Sequence, residues 1–270
     1  MTYEKYKAIK VEKADRVLTL TLNRPEKLNA TDAALHSELS QIFWDVGLDK
    51  SVDVVILTGA GKAFCAGGDT AWMQDMIQTP GMWYQTVTEA KRIVFGILDC
   101  EKPIIAKLNG SAIGLGATIA LFCDIIIASE NAKIGDPHVV VGFVAGDGGS
   151  AIWPQLVGYP RAKEFLMTGE LLSARRAEQL GLINHCVPAT ELDRKVAEFA
   201  QKLSSGAINA IQSTKVAVNA TLRQLVAANI DTSLALEGLS NFSDEHKEGV
   251  LAFNEKRAPK FSASGRAGTE

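Results

Sequence analysis

Two glycine-rich stretches and one histidine with nearby aspartates are where this chain has residues of the right type and spacing for chemistry. The first stretch, Thr58-Gly59-Ala60-Gly61-Lys62-Ala63-Phe64-Cys65-Ala66-Gly67-Gly68-Asp69, follows the apolar run Val54-Val55-Ile56-Leu57. The second, Asn109-Gly110-Ser111-Ala112-Ile113-Gly114-Leu115-Gly116, follows Ile104-Ile105-Ala106 and leads into a helix beginning near Ala117. Glycine lets backbone approach a ligand closely, and a helix start leaves unpaired N–H groups under a favourable dipole. Such loops suit a negatively charged oxygen. They are not nucleotide loops: Gly61-Lys62 lacks the Walker spacing and its Ser/Thr, and Gly114-Leu115-Gly116 lacks the third glycine of a dinucleotide fingerprint. Taken singly, either loop serves equally well as a tight turn between packed strands.

The histidine stands in Asp136-Pro137-His138, followed nine residues later by Asp147 within Ala145-Gly146-Asp147-Gly148-Gly149. Imidazole titrates near neutral pH, and a carboxylate on one ring nitrogen fixes the tautomer and stabilises the imidazolium. His138 and Asp147 can form such an acid/base dyad. Asp136 competes for the same role, although it sits directly before a proline, where side-chain direction is hard to argue. His36, His185 and His246 have no comparable context and read as surface or packing residues. Cys65, Cys100, Cys123 and Cys186 are scattered without the close pairing of a zinc or redox motif, so no metal is expected and Cys65 reads as loop packing.

These residues need a scaffold, and the chain has material for one: 270 residues, 47% of them hydrophobic and 22% charged, exclude disorder and allow one large domain with an appendage or two small ones. A net charge of -3 with both signs interspersed gives no basic surface for nucleic acid or membrane. The segment after Met1 is too polar for an export signal, and no apolar stretch reaches membrane-spanning length, so a reducing, cytoplasmic setting is expected. Val17 to Leu22 alternates as a strand does and ends at Asn23-Arg24-Pro25. Thr31 is a plausible N-cap for a helix carrying Leu35, Leu39, Ile42, Phe43 and Val46. The continuous runs at Val54, Ile104 and Ile125-Ile126-Ile127 predict strands covered on both faces, with helices between them at Glu89 to Leu98 and Ala117 to Phe122. That order is α/β. From about Asp193 to Lys256 strand signals vanish and a helical region is expected, with Ser262 to Glu270 fraying.

Asn23-Arg24-Pro25-Glu26-Lys27-Leu28-Asn29-Ala30, Ala63 to Asp69, Lys102-Pro103-Ile104-Ile105-Ala106, Asn109-Gly110, Cys123-Asp124 and the tail from Glu248-Gly249 to Ala258-Pro259 together resemble the enoyl-CoA hydratase/isomerase (crotonase) superfamily, in the family's order and over nearly the whole chain. The resemblance implies a crotonase-like (ClpP/crotonase) spiral of ββα units over 1–192 and a helical oligomerisation region over 193–270, giving a homotrimer or a dimer of trimers. It implies an oxyanion hole at the Gly68 and Leu115 N–H groups. It further implies that Lys27, Leu28 and Ala30 lie along the path of coenzyme A, that the Ala66 carbonyl faces adenine, and that Lys260 and Phe261 reach the nucleotide end from a neighbouring subunit. Coenzyme A enters as part of an acyl-CoA substrate, and no prosthetic group is implied. A phosphate-binding lysine of some members is Ala71 here.

The two glutamates that typical hydratases carry fall at Thr118 and His138, so water activation by a carboxylate pair is not expected. Thr118 is expected only to bond back within its helix. His138 with Asp147 then acts as the acid/base at the α-carbon of a thioester. The β-diketone hydrolases of the superfamily are similar in having His, Asp and a late Glu in this order, which makes Glu237 a candidate for handling water and a small dicarbonyl the alternative substrate. A non-catalytic binding member is the remaining alternative.

Overall fold

The alternating run Val17–Leu22 forms strand β2, and Leu18, Leu20 and Leu22 are fully buried along one of its faces. It pairs antiparallel with β1 (Ile9–Ala14) in the computed structural model, which describes residues 2–261. β1 escapes a reading by hydrophobicity because Lys10, Glu12 and Lys13 suit an edge strand with one unpaired side. Seven further strands follow: β3 (Val54–Gly59), β4 (Ile104–Leu108), β5 (Ala112–Ile113), β6 (Ile125–Ser129), β7 (Lys133–Gly135), β8 (Leu172–Ser173) and β9 (His185–Val187). A six-stranded sheet runs β1-β2-β3-β4-β6-β9 and is parallel from β2 onward; β5, β7 and β8 make a second, small sheet.

The ten helices are α1 (Ala33–Leu48), α2 (Thr70–Gln78), α3 (Pro80–Asp99), α4 (Leu115–Leu121), α5 (Gly149–Val157), α6 (Tyr159–Thr168), α7 (Ala174–Gln179), α8 (Leu192–Ser204), α9 (Ile208–Asn241) and α10 (Asp244–Asn254) among the described residues. The expected unit recurs three times. A large-sheet strand (β3, β4, β6) passes to the second layer and then to a helix; there β5 and β7 pair in parallel, and Cys65 bridges Ala112. This is the ββα spiral. α1 begins one residue later than expected, since Asp32 rather than Thr31 accepts from Leu35 N at 2.9 Å, whereas the backbone of Thr31 is engaged by the first loop.

The continuous apolar runs are covered on both faces, as their lack of alternation requires. Val55 and Leu57 face the main core with Phe43, Ile93 and Ile97, whereas Val54, Ile105 and Ile127 pack against Leu192, Val196 and Ala200 of α8. The helical region from 193 onward is thus joined to the spiral, because α8 completes the sheet's second face. The segment Ser262 to Glu270 lies outside the described residues.

α9 is tied to the spiral by a buried lysine: Lys215 Nζ lies 2.7 Å from the Asp124 carboxylate and donates to Lys102 O at 2.9 Å. Asp124 in turn accepts from Ile104 N at 2.7 Å, fixing the start of β4. Removing one member of a buried pair leaves the other charge uncompensated. Lys215→Met is therefore expected to cost about 2–4 kcal/mol, read as a lowered urea midpoint, whereas an unchanged midpoint would show the tie to be dispensable.

Candidate active site

The first glycine loop is held open by the segment before α1. Leu28 and Asn29 take left-handed φ values of 51° and 57°, a turn that asparagine tolerates better than most residues. From it the fully buried Asn29 side chain accepts from Arg24 N at 2.9 Å and donates to Ala60 O and Ala63 O at 2.8 Å each. Leu28 O accepts from Ala66 N at 3.1 Å, and Thr31 N donates to Gly67 O at 2.7 Å. Asn109 supports the loop from the other side, accepting from Gly59 N at 3.2 Å and donating to Gly61 O at 3.0 Å.

The second loop then lies backbone against backbone on the first. Ile113 N donates to Cys65 O at 2.9 Å. A Cβ on Gly67, whose φ is 90°, would stand 3.2 Å from Ile113 O, and one on Gly116 would strike Cys65 O at 2.6 Å. Among the described residues neither the Gly68 N–H nor the Leu115 N–H, at the first position of α4, donates to any protein acceptor. Both border one cavity, which His138, Asp147 and Glu237 border as well. Helices contribute its apolar wall: Trp72 and Met76 from α2, Trp83 from α3 and Leu234 from α9. An adjoining cavity shares Gly68, Met73 and His138 and is bordered by Ala66 and Phe253.

His138 follows β7 in a short 3-10 turn, His138–Val141. The Asp136-Pro137 step folds the ring back over the preceding aspartate, so Asp136, and not Asp147, forms the ion pair with Nδ1. Asp147 Oδ2 stands 3.9 Å from the other ring nitrogen, Nε2. The sequence expectation thus needs correction on which carboxylate orients the ring, and the reason is local: proline forces a turn between the two residues. Thr118 also departs from expectation. It does not bond back within α4 but donates to Asp147 Oδ1 at 3.0 Å, fixing that carboxylate. Nε2 has no hydrogen-bond partner among the described residues and faces Gly114, whose missing Cβ would lie 3.5 Å from it.

The charges are arranged around a held proton. Burial alone would lower the His138 pKa, but the charges of Asp136, Asp147 and Glu237 and the contact with Asp136 overcome it and push the ring up to about 10. Burial raises the carboxyl of Asp147, with the His138 charge opposing it. Burial and the nearby aspartates raise Glu237 well above the usual carboxylate range; its Oε2 has no partner among the described residues. The ring of His138 thus lies between Asp136 and Asp147, with the Glu237 carboxyl bordering the same cavity. Asp136, His138 and Asp147 are also the one group among the described residues with metal-like clustering, their ligand atoms within 4.8 Å.

Other expected residues scatter. Lys27 and Leu28 are exposed, Ala30 and Ala66 are half-buried, and Lys260 and Phe261 are exposed beyond α10 and border neither cavity of this chain. His36, expected to be a surface or packing residue, is 2% exposed and borders the same cavity as His138. Helical spacing could have flagged it, since it adjoins Leu35 and precedes Leu39 by three positions on the buried side of α1. His246 is buried, donates to Val141 O at 2.8 Å and stacks on Phe143.

A spiral of ββα turns with two free amides over one cavity defines a class, and comparison gives it a family. The family model described as enoyl-CoA hydratase/isomerase matches residues 12–264. The short-chain-enoyl-CoA hydratase of Clostridium acetobutylicum is 37% identical over 92% of this chain and 94% of its own. An enoyl-CoA hydratase/isomerase from Mycobacterium paratuberculosis superposes with a TM-score of 0.87 at 34% identity, over 90% of this chain and 97% of that one. A β-diketone hydrolase from the cyanobacterium Anabaena, bound to (S)-3-oxocyclohexyl acetic acid, gives a TM-score of 0.83 at 32% identity, over 89% and 96%. The chain belongs to the enoyl-CoA hydratase/isomerase family.

The proton assignment is testable without a substrate. A ring whose folded pKa is raised from 6.5 to about 10 stabilises the fold fully below about pH 6.5, and that contribution is lost as pH rises through about 10. Ring NMR of His138 should show imidazolium at pH 8. Asp136→Asn should lower the titration point more than Asp147→Asn does, because Asp136 is in direct contact. A neutral ring at pH 8 in the wild type would refute the assignment.

Proposed function

We propose that this chain is an acyl-CoA enzyme that holds the thioester carbonyl between the Gly68 and Leu115 N–H groups and moves a proton at the α-carbon with His138. The observation that carries the reading is the pair of acceptor-free amides opening into the cavity that His138 borders. Such donors point at charge that develops on the carbonyl oxygen as the enolate forms, and each is worth about 3 kcal/mol. His138 exchanges a proton with the α-carbon, taking it as the imidazole and returning it as the imidazolium, and Asp136 holds its ring in place. Asp147, fixed by Thr118, balances the charge as the proton leaves and returns. No prosthetic group is needed for this chemistry; coenzyme A is part of the substrate. Lys27, Leu28, Ala30 and Ala66 line its path, the half-buried Ala66 lies at the adjoining cavity, and Lys260 and Phe261 serve a neighbouring subunit's site. The exposed Leu236, Leu239 and Phe253 on α9 and α10 support trimer formation, which sedimentation tests. No helix among the described residues is long and apolar enough to cross a membrane.

A second reading has its own support. Glu237, buried and with its carboxyl pushed well above the usual range by that burial, borders the cavity with Asp147, where a hydratase would not require it. A carbon–carbon bond hydrolase would use the same amides for the departing enolate and need a further group for water, and a β-diketone hydrolase from Anabaena is among the similar structures. Crotonyl-CoA and a panel of cyclic β-diketones, with products followed by mass, separate the readings. Turnover of the thioester supports the first; a gain of one water on a diketone without coenzyme A supports the second.

For whichever substrate turns over, Gly68→Pro should abolish activity, because proline removes the amide hydrogen, and Leu115→Ala should matter far less, because alanine keeps it. Activity of the proline variant within tenfold of wild type would place the hole elsewhere. His138→Ala is expected to lower kcat about 100-fold or more. Combining it with Asp147→Asn should add little, since groups acting as one unit are non-additive. Full activity in His138→Ala would transfer the proton step to Glu237.

A further inference from the structure

The cavity has a second histidine that the proposed chemistry does not use. His36, on α1, is 2% exposed, and its Nδ1 donates to Glu89 Oε2 at 2.8 Å across to α3. Gln85 Nε2 donates to the other oxygen, Oε1, at 2.8 Å, so both carboxylate oxygens are engaged. Burial would raise the Glu89 carboxyl, yet these hydrogen bonds hold it below the usual range, so it is a carboxylate and Nδ1 must be the donor. The ring is further fixed against Trp72, with centroids 5.1 Å apart. What remains is Nε2. It has no hydrogen-bond partner among the described residues, and it sits in a wall that is otherwise mostly carbon and sulphur from Trp72, Met76, Ala90 and Leu234. Thr86, on the same wall, already donates to Met82 O at 3.0 Å.

A buried, doubly braced ring with one open nitrogen is costly to maintain if only hydrocarbon is to meet it, because an apolar ligand strips water from that nitrogen and returns nothing. We infer that His36 is a specificity-determining residue whose Nε2 forms a hydrogen bond with a hydroxyl group on the substrate, remote from the reacting carbonyl. Glu89 is its positioning residue. The inference rests on the reading of this cavity as the place where the acyl or dicarbonyl group lies, and it narrows the substrate class to hydroxylated compounds. A site built to bond such a group rejects the analogue lacking it far more strongly than an apolar pocket rejects a changed methylene.

Binding tests this without requiring turnover. Hexanoyl-CoA and its 5-hydroxy and 6-hydroxy derivatives are titrated calorimetrically into the full chain. One hydroxylated ligand should bind about tenfold or more tightly than the plain one. In the double variant His36→Phe with Glu89→Gln, which keeps an aromatic ring on Trp72 and leaves no unpaired carboxylate, that preference should fall to within twofold. Equal wild-type affinities for all three, or a preference that survives the double variant, would overturn the inference. If the double variant does not fold, His36→Gln, whose amide can still reach Glu89, replaces it. If no thioester binds, the acyl-CoA reading fails on its own, and cyclohexanone against 4-hydroxycyclohexanone carries the same comparison; no hydroxyl preference there overturns the inference.

Discussion

The backbone contact between the two glycine loops is the constraint on which the rest of the site depends. Cys65 O receives Ile113 N, Gly67 lies against Ile113, and Gly116 lies where any side chain would strike Cys65 O. Separate these loops by one methyl group and the two amides no longer point into one cavity. The asparagines enforce the contact from outside: Asn29 and Asn109 both donate to Ala63 O, at 2.8 and 3.2 Å, from opposite sides of the first loop. Their conformation is thus paid for by side-chain hydrogen bonds rather than by a ligand, and the amides are preorganised before substrate arrives.

On that fixed frame the electrostatics divide into two histidine–carboxylate pairs of different character. Around His138, the charges of Asp136, Asp147 and Glu237 together favour the protonated ring. Around His36, the partner carboxylate accepts from two side chains. The first arrangement suits transfer of a proton; the second suits holding a ring still. Trp72, Trp83 and Phe143 form an apolar cluster beside them, and a low local dielectric strengthens both.

Much of this scaffold was legible in the sequence because it rests on patterns with a period. The alternation at Val17–Leu22 and the unbroken runs at Val54, Ile104 and Ile125 mark strands through their burial, and the glycines mark the loops through their missing side chains. What escaped has no period. β5, β7 and β8 are two or three residues long, too short to alternate, and β1 carries its charges outward. The roles of Asp136, Thr118 and His36 depend on contacts between segments: Thr118 meets Asp147 29 positions away, and His36 meets Glu89 53 positions away. Residue type announces that such groups can bond; only the fold states with whom.

α9 spans 34 residues, Ile208–Asn241, with Lys215 pinned to Asp124 near one end and Glu237 delivered to the cavity near the other. Between those two points lie roughly 33 Å of uninterrupted helix, at about 1.5 Å per residue. A helix advances about 100° per residue, so one residue inserted or deleted in that span turns Glu237 away from the cavity while every local hydrogen bond of the helix survives. The rod therefore works as a phase gauge. Loops around it can lengthen during divergence, but the number of residues from Lys215 to Glu237 can change only by whole turns, and each whole turn would shift the acid by more than 5 Å along the wall.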